Sequence, residues 1–497
     1  MNAVIQHHAT GIKGLDDILG GGLTQHRLYL VEGVPGSGKT TLALQFLLEG
    51  AAQGESTLYV TLSESADELQ SVAQSHNWSL DAINIRELTP SEEALRPDDQ
   101  YTMFHPSEVE LGETTRTILE EVTRIQPRRV VFDSLSELRL LAGNALRYRR
   151  QILALKQFFS GRNCTVLLLD DMTSTDHDLQ VQSIAHGVVC LEQLNPDYGT
   201  ERRRLRIVKY RGVQFRGGYH DYVIRRGGIQ VFPRLVAHES RNVRAKVRLA
   251  SGVNELDHLL GGGIERGTST LITGAAGTGK SSLAAQFVHA AANRGEKSLM
   301  IIFDESANTL LSRTAELDID LNPHVEAGTV VITQVDPAEL SPGEMVFKIR
   351  EAVERDNISL VVIDSLNGYL NAMPGEHYLI IHLHELLTYL GQKDVATMLV
   401  SAHHGLIGSS MQAPIDVSYL ADAVILMRYF EAKGEVRQII SVVKKRGGAH
   451  ERSIREFKMA QGRIQVGAPL RDFRGILTGV PVFEGGNGGL MGEPENK

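Results

Sequence analysis

The chain has 497 residues, 42% of them hydrophobic, with 51 basic against 60 acidic side chains for a formal charge of −9. That length suits about three to four domains of ~150 residues with sizeable cores, and the composition is that of a globular protein. The acidic balance and the absence of a long basic run argue against a nonspecific grip on nucleic acid, and no stretch approaches the ~20 apolar residues of a membrane span.

The amino terminus, MNAVIQHHATGIKG, lacks a basic segment followed by an apolar one, so no targeting signal is expected. The two cysteines, Cys164 and Cys190, sit in apolar strand-like runs and form neither a CxxC pair nor a disulfide framework. Reduced, buried thiols in a cytoplasmic protein are the expectation.

In chain order, TGIKGLDDILGGGL (10–23) precedes an apolar run, RLYLVEG, which leads into GVPGSGKT (33–40). A helical pattern, TTLALQFLLEGAAQ, and a β-branched run, STLYVTL, follow. The whole series then repeats: SGVNELDHLLGGGI (251–264) and GAAGTGKS (274–281) lie 241 residues after their counterparts. Glu64 and Glu305 keep that offset, whereas Asp133 in VVFDS and Asp364 in VVIDS are offset by 231. Such a duplication, with β-runs alternating with helical patterns, predicts two tandem RecA-like P-loop ATPase domains. Each is an α/β unit with a mostly parallel central sheet flanked by helices. We divide the chain into residues 1–240, 241–470 and a loop and tail at 471–497. The last dozen residues are Gly-rich and weakly apolar, and a disordered tip is expected there.

Both Gly-rich segments satisfy G-x-x-x-x-G-K-[ST] between a strand and a helix. Gly33, Gly36, Ser37, Gly38, Lys39, Thr40 and Thr41 in the first half form an ATP phosphate cradle. Gly274, Gly277, Thr278, Gly279, Lys280, Ser281 and Ser282 form the second. In that geometry Lys39 or Lys280 reaches the β and γ phosphates, and the hydroxyl of Thr40 or Ser281 ligates Mg²⁺. Asp133 and Asp364 end apolar strands, as Walker B carboxylates do; a capped strand end is the alternative, and the preceding P-loop favours the first reading.

The strand that follows each P-loop helix is expected to lie next to the P-loop strand and to end at Glu64 in one half and at Asp304 and Glu305 in the other. Their carboxylates would face the γ-phosphate from the side opposite Walker B and orient a water or accept a proton from a hydroxyl. Because neighbours on a strand point to opposite faces, one of Asp304 and Glu305 is expected to reach the site and the other to turn away. A solvated acidic helix start is the competing account. Lys209 with Arg211, and Lys444 with Arg446, close strands before a glycine; they are either solvated ends or fingers for a neighbouring subunit's nucleotide. His403 and His404 invite a metal reading, which we set aside because adjacent strand residues diverge and no further ligands cluster there.

Taken together, the two P-loops, TGIxxLDxxLGGGL, the acidic pair before serine, and KxRG resemble KaiC, the double-domain clock ATPase of cyanobacteria and its relatives in other bacteria. The resemblance runs from residue 10 to about 480, and we read the chain as a homologue from outside the cyanobacteria. It implies a two-tiered homohexamer with ATP between subunits, slow hydrolysis in the first ring and self-phosphorylation on hydroxyl residues in the second. Glu64 then falls on the second member of the family's catalytic pair, with Ser63 replacing the first, and Asp304 falls on the kinase's general base beside Glu305. Lys209, Arg211, Lys444 and Arg446 match contacts to the neighbour's phosphates. Through ADAVIL, Ser418 matches the family's phosphoserine, and Tyr419 stands where a phosphothreonine is usual. A tyrosine hydroxyl reaches several ångströms further, so Ser418 is the expected acceptor and Tyr419 a poor one at best.

The segment DFRGILTGVPVF resembles the loop and tail that meet KaiA in cyanobacteria. Outside them that partner is usually missing, so a KaiB-like protein is the expected partner and KaiA is not. Two other classes stay open. One is a RecA- or DnaB-like DNA-dependent ATPase, which would need the basic pore loops that this acidic chain lacks. The other is a ring assembled by ATP without kinase activity.

Overall fold

The structure, a computed structural model, describes residues 6–88, 106–172, 179–195, 199–236, 247–371, 376–403, 417–460, 462–477 and 481–484. The expected disordered tip and His404 lie outside them. The chain divides into two compact units, Met1–Arg234 and Leu235–Lys497.

In the first unit the sheet strands are β1 (Leu28–Gly33), β2 (Thr57–Thr61), β3 (Asn84–Glu87), β4 (Arg129–Asp133), β5 (Thr165–Asp170), β6 (Gly187–Leu194), β7 (Arg202–Tyr210), β8 (Tyr219–Arg225) and β9 (Gly228–Phe232). Six of them run parallel in the order β6-β1-β5-β4-β2-β3, and β7, β8 and β9 continue antiparallel from β6. The second unit repeats the plan with β10 (Ser269–Ala275), β11 (Ser298–Ile302), β12 (Val330–Gln334), β13 (Leu360–Asp364), β14 (Ala396–His403), β15 (Ala423–Ala432), β16 (Glu435–Lys445), β17 (Arg455–Ala460) and β18 (Arg463–Pro469). Its order is β15-β10-β14-β13-β11-β12 for the parallel part, with β16, β17 and β18 antiparallel beyond β15. Each is the RecA-like α/β plan expected from the alternating pattern.

Helices cover both faces of each sheet, which explains why the parallel strands read as unbroken apolar runs. Along β1, Tyr29 and Val31 join the core that includes Leu42 and Phe46 of helix α1 (Lys39–Ala52). Leu28 and Leu30 enter the opposite core with Phe132, Tyr148 and Ile152. The period of two along a strand divides the residues between these layers. In the second unit Leu299 and Ile301 face one core and Met300 and Ile302 the other.

One polar anchor sits inside the first unit. Arg129, at the start of β4, is fully buried; it donates to Glu55 Oε2 at 2.5 Å and to the carbonyls of Ala9 and Phe46 at 2.7 and 2.8 Å. Replacing it with Met would take the guanidinium from Glu55, leaving that carboxylate, among the described residues, only His8 at 3.3 Å, and would remove its donors to the Ala9 and Phe46 carbonyls. We expect Arg129→Met to destabilise the first domain by about 3–5 kcal/mol, read as an earlier unfolding transition in denaturant.

Candidate nucleotide site

Each P-loop leaves the carboxyl end of the central strand, where the chain must turn sharply into a helix. Gly38 and Gly279 take φ of 91° and 94°. A Cβ at Gly38 would lie 2.6 Å from Ile224 Cδ1, and one at Gly279 would lie 2.9 Å from Met459 Cε, so only glycine fits either place. Helices α1 and its counterpart (Lys280–Asn293) start there, 14 residues long and without a side-chain cap. Their first N–H groups are therefore left to an anion.

In the first domain the lysine is already engaged: Lys39 Nζ donates to the carbonyls of Gly33 and Val34 at 2.9 and 3.1 Å and pairs with Asp171 at 2.8 Å. The Thr40 hydroxyl donates to Asp133 Oδ2 at 3.2 Å, and the Tyr59 hydroxyl donates to the same oxygen at 2.5 Å. Burial pushes the Asp133 carboxyl up, against the hydrogen bond from Tyr59, with the Asp171 charge adding to the rise. Ser37 and Thr41 are buried beside the loop.

In the second domain a cavity of about 550 Å³ is lined by Gly277, Gly279, Lys280, Ser281, Ser282, Asp304, Glu305 and Asp364, among others. Lys280 Nζ donates to the Ala275 carbonyl at 2.6 Å, and the Thr278 hydroxyl donates to the same oxygen at 2.9 Å. Burial brings the Lys280 ammonium down to about 8, only partly countered by the Asp364 charge. Asp364 is raised to about 6, chiefly by burial and then by Glu305 and Asp304, while a hydrogen bond from Ser281 opposes the rise. Its Oδ2 is buried with no hydrogen-bond partner, an acceptor aimed into a site built for a cationic or polar guest. Gly274 closes the loop's base: a Cβ there would lie 2.0 Å from the Met427 carbonyl oxygen.

The acidic residues are placed differently from the expectation in two respects. Strands β2 and β11 end at Thr61 and Ile302, so Glu64, Asp304 and Glu305 stand in the turn that follows. The Thr61 hydroxyl fastens that turn, donating to the Glu64 carbonyl at 2.6 Å and accepting from its N–H at 3.0 Å. Away from extended backbone the alternation rule lapses, and Asp304 and Glu305 both line the cavity. These strands also follow the P-loop strand in sequence but not in space: β4 and β5 lie between β1 and β2, and β13 and β14 between β10 and β11. Glu64 therefore approaches from the flank of the Walker B strand, not from the side opposite it. The turn does lead into a helix start, since Ser65 and Ser306 cap α2 (Ala66–Ser75) and its counterpart (Ala307–Ala315), but Glu64 Oε2 there is buried instead of solvated.

The carboxylates differ in company. Glu64 Oε2 is buried without a partner, and burial, followed by the charge of Asp133, raises its carboxyl to about 7. In the second domain the Ser365 hydroxyl donates to Asp304 Oδ2, and Arg313 pairs with Glu305 at 2.7 Å. Asp171, Tyr59 and Arg313 are site residues that sequence reasoning missed. The doublet closing LLLDD was the one available signal for Asp171.

The remaining residues are not brought to their own domain's P-loop. Lys209 donates to the carbonyls of Gln182 and Ser183 at 2.7 and 3.1 Å, and Arg211 to Ser183 at 2.7 Å. Lys444 likewise donates to the carbonyls of Ser418 and Ala421 at 2.7 and 2.8 Å, and Arg446 to Tyr419 at 2.6 Å. Ser418 is partly buried and Tyr419 is 50% exposed. Asp422 anchors this segment to the first residue of β10, accepting from the Ser269 N–H at 3.0 Å. His403 Nε2 is bonded to the Thr273 hydroxyl at 2.7 Å, and among the described residues no cluster suits a metal. Cys164 and Cys190 are buried and unbridged, and no described helix is long and apolar enough to cross a membrane.

Two Walker-type sites on tandem RecA-like sheets define a duplicated P-loop ATPase, and comparison with known proteins gives the lineage. The family model for the KaiC ATPase matches residues 8–236 and again 249–471, so the chain belongs to the KaiC family. It is 26% identical to the circadian clock protein KaiC3 of Synechocystis sp., over 96% of this chain and 95% of that one. It is 28% identical to the circadian clock oscillator protein KaiC of Thermostichus vulcanus, covering 97% and 93%. The circadian clock protein KaiC2 of Synechocystis sp. is also 28% identical, covering 95% and 83%.

The ion pair at Lys39 has a measurable consequence. A nucleotide phosphate must displace Asp171 to reach that lysine, and the offset along the paired strands puts Ala402 in its place in the second domain. In a Lys280→Ala background, Asp171→Asn is expected to tighten ADP binding by about three- to tenfold in a titration calorimeter. Weaker binding would mean that Asp171 organises the loop instead of competing for it.

Proposed function

We propose that this chain is a Mg·ATP-dependent ATPase that also phosphorylates its own Ser418, as a homohexamer and through a KaiB-like partner, in a timing or stress-linked role. Residues 1–240 form the hydrolysing domain, 241–470 the autokinase, and 471–497 a loop and tail. The buried acceptor on Asp364, the uncapped helix ends and the Ser281 and Thr40 hydroxyls suit a polyphosphate with a hard cation, which would neutralise charge on the phosphates. Glu64 takes the proton from water in the first domain. Asp304, oriented by Ser365, takes it from the serine hydroxyl in the second, with Glu305 beside it.

The observation that carries the kinase reading is where Ser418 sits. It precedes β15, whose first residue, Ala423, pairs with Thr270, while the P-loop leaves the other end of β10, at Ala275. Five residues of parallel strand, about 16 Å, separate those levels, far beyond the ~3–3.5 Å needed for in-line attack. Its own second-domain P-loop being out of reach, a phosphate donor for Ser418 would have to be a nucleotide held by another copy. Lys444 and Arg446, which fasten the Ser418 segment, would meet that nucleotide's phosphates, as Lys209 and Arg211 would in the first ring.

The test is intact-mass and phosphopeptide mass spectrometry after incubation with Mg·ATP, beside Lys280→Ala. Phosphate on Ser418 that disappears in the variant is the expected result. Hydrolysis with no phosphate on the protein would make the chain an ATP-gated ring.

A further inference from the structure

Arg313 has no counterpart in the first domain. Counting from the capping serines Ser65 and Ser306, its place is taken there by Val72, which packs against the core. In the second domain the Arg313 guanidinium spans two elements, donating to Glu305 Oε1 at 2.7 Å and to Ser282 Oγ at 2.5 Å. Ser282 lies in the first turn of the P-loop helix, and all three residues line the cavity. The first domain puts Thr41 at the place of Ser282 and leaves Glu64 Oε2 buried with no partner. Equivalent glutamates are thus tethered in one domain and untethered in the other.

We propose that Arg313 is a positioning residue that holds Glu305 against the P-loop helix and keeps it from activating water, so that Asp304 is left as the proton acceptor of the second domain. This deepens the autokinase reading and rests on it for the role of Asp304. A hydroxyl attack forms the bond from Ser418 Oγ to the γ-phosphorus and breaks the bond to the bridging oxygen; ADP leaves and the hydroxyl proton passes to Asp304. Hydrolysis differs only in the nucleophile, a water whose proton goes to a carboxylate. A released Glu305 would stand as Glu64 does and take that proton, diverting phosphate from serine to water. The tether limits that loss.

The experiment counts free phosphate in a Lys39→Ala background, which silences the first domain, with Ser418→Ala added in parallel. The outcome then stands whether or not Ser418 is phosphorylated. Arg313→Ala is expected to raise kcat for hydrolysis at least about threefold with KM nearly unchanged. Adding Glu305→Gln should abolish the rise, and Arg313→Lys should hold the original rate. In nucleotide-free protein, the unfolding midpoints of Arg313→Ala, Glu305→Gln and the double variant should be non-additive, reporting the tether without activity. A fall in kcat, an unchanged rate, a change confined to KM, a rise that survives Glu305→Gln, or additive midpoints would overturn the proposal. If Ser418 proves unphosphorylated while these results hold, the tether stands and only the role of Asp304 towards serine is lost.

Discussion

Glu64→Gln should lower the hydrolysis rate of the first domain by about 10²–10⁴-fold, measured in a Lys280→Ala background, with nucleotide affinity within about threefold of the parent. The substitution keeps the shape and removes the ability to accept a proton. Ser63 cannot replace it, since a hydroxyl is a far weaker base at neutral pH. The raised value near 7 sets the sign of the pH dependence: the carboxylate accepts a proton only when ionised. The competent fraction therefore climbs from about one tenth at pH 6 to about nine tenths at pH 8. The parent's rate should rise through that window, and the residual rate of the variant should not. A loss below about tenfold, or the same pH profile in both proteins, would place water activation on another group.

The second large effect concerns the acceptor. Ser418→Ala should remove essentially all phosphate from protein incubated with Mg·ATP, whereas Tyr419→Phe should retain most of it. Lys444 and Arg446 hold the backbone at both positions, so the segment cannot slide to present either side chain at will. With the backbone fixed, a hydroxyl at the tip of a tyrosine ring and one on a serine Cβ cannot both stand in line with the same γ-phosphate. Phosphotyrosine as the main product would reverse the assignment.

How much of this could be read from the chain alone depends on whether the information was contiguous. The P-loops and the Walker B aspartates are local: strand, turn and helix start adjoin one another in sequence, and their repetition in the same order in both halves makes the fold class legible. The partners of those residues are not local. Asp171 meets Lys39 because β5 lies beside β1 in the sheet, though 132 residues separate the two side chains in the chain. Strand order comes from crossovers that no stretch of sequence announces, and reading the strand after the P-loop helix as its spatial neighbour goes wrong for the same reason. Asp304 and Glu305 illustrate a second limit. Side-chain alternation holds only while the backbone is extended, and the strand stops at Ile302, two residues too early. Arg313 shows a third. An arginine on an amphipathic helix is ordinarily solvated, and only the turn of that helix over the cavity joins it to Glu305 and Ser282.

The proposed autokinase passes phosphate from one copy to another. A mixed assembly tests this directly: Lys280→Ala subunits, which keep Ser418 but lose the second-domain P-loop lysine, are combined with Ser418→Ala subunits, which keep the lysine but lose the acceptor. Neither variant should take up phosphate alone, and in the mixture phosphate should appear on Ser418 of the Lys280→Ala chains. Mass spectrometry resolves the two chains by mass. Phosphate absent from the mixture, yet present on the parent protein under the same conditions, would contradict transfer between subunits.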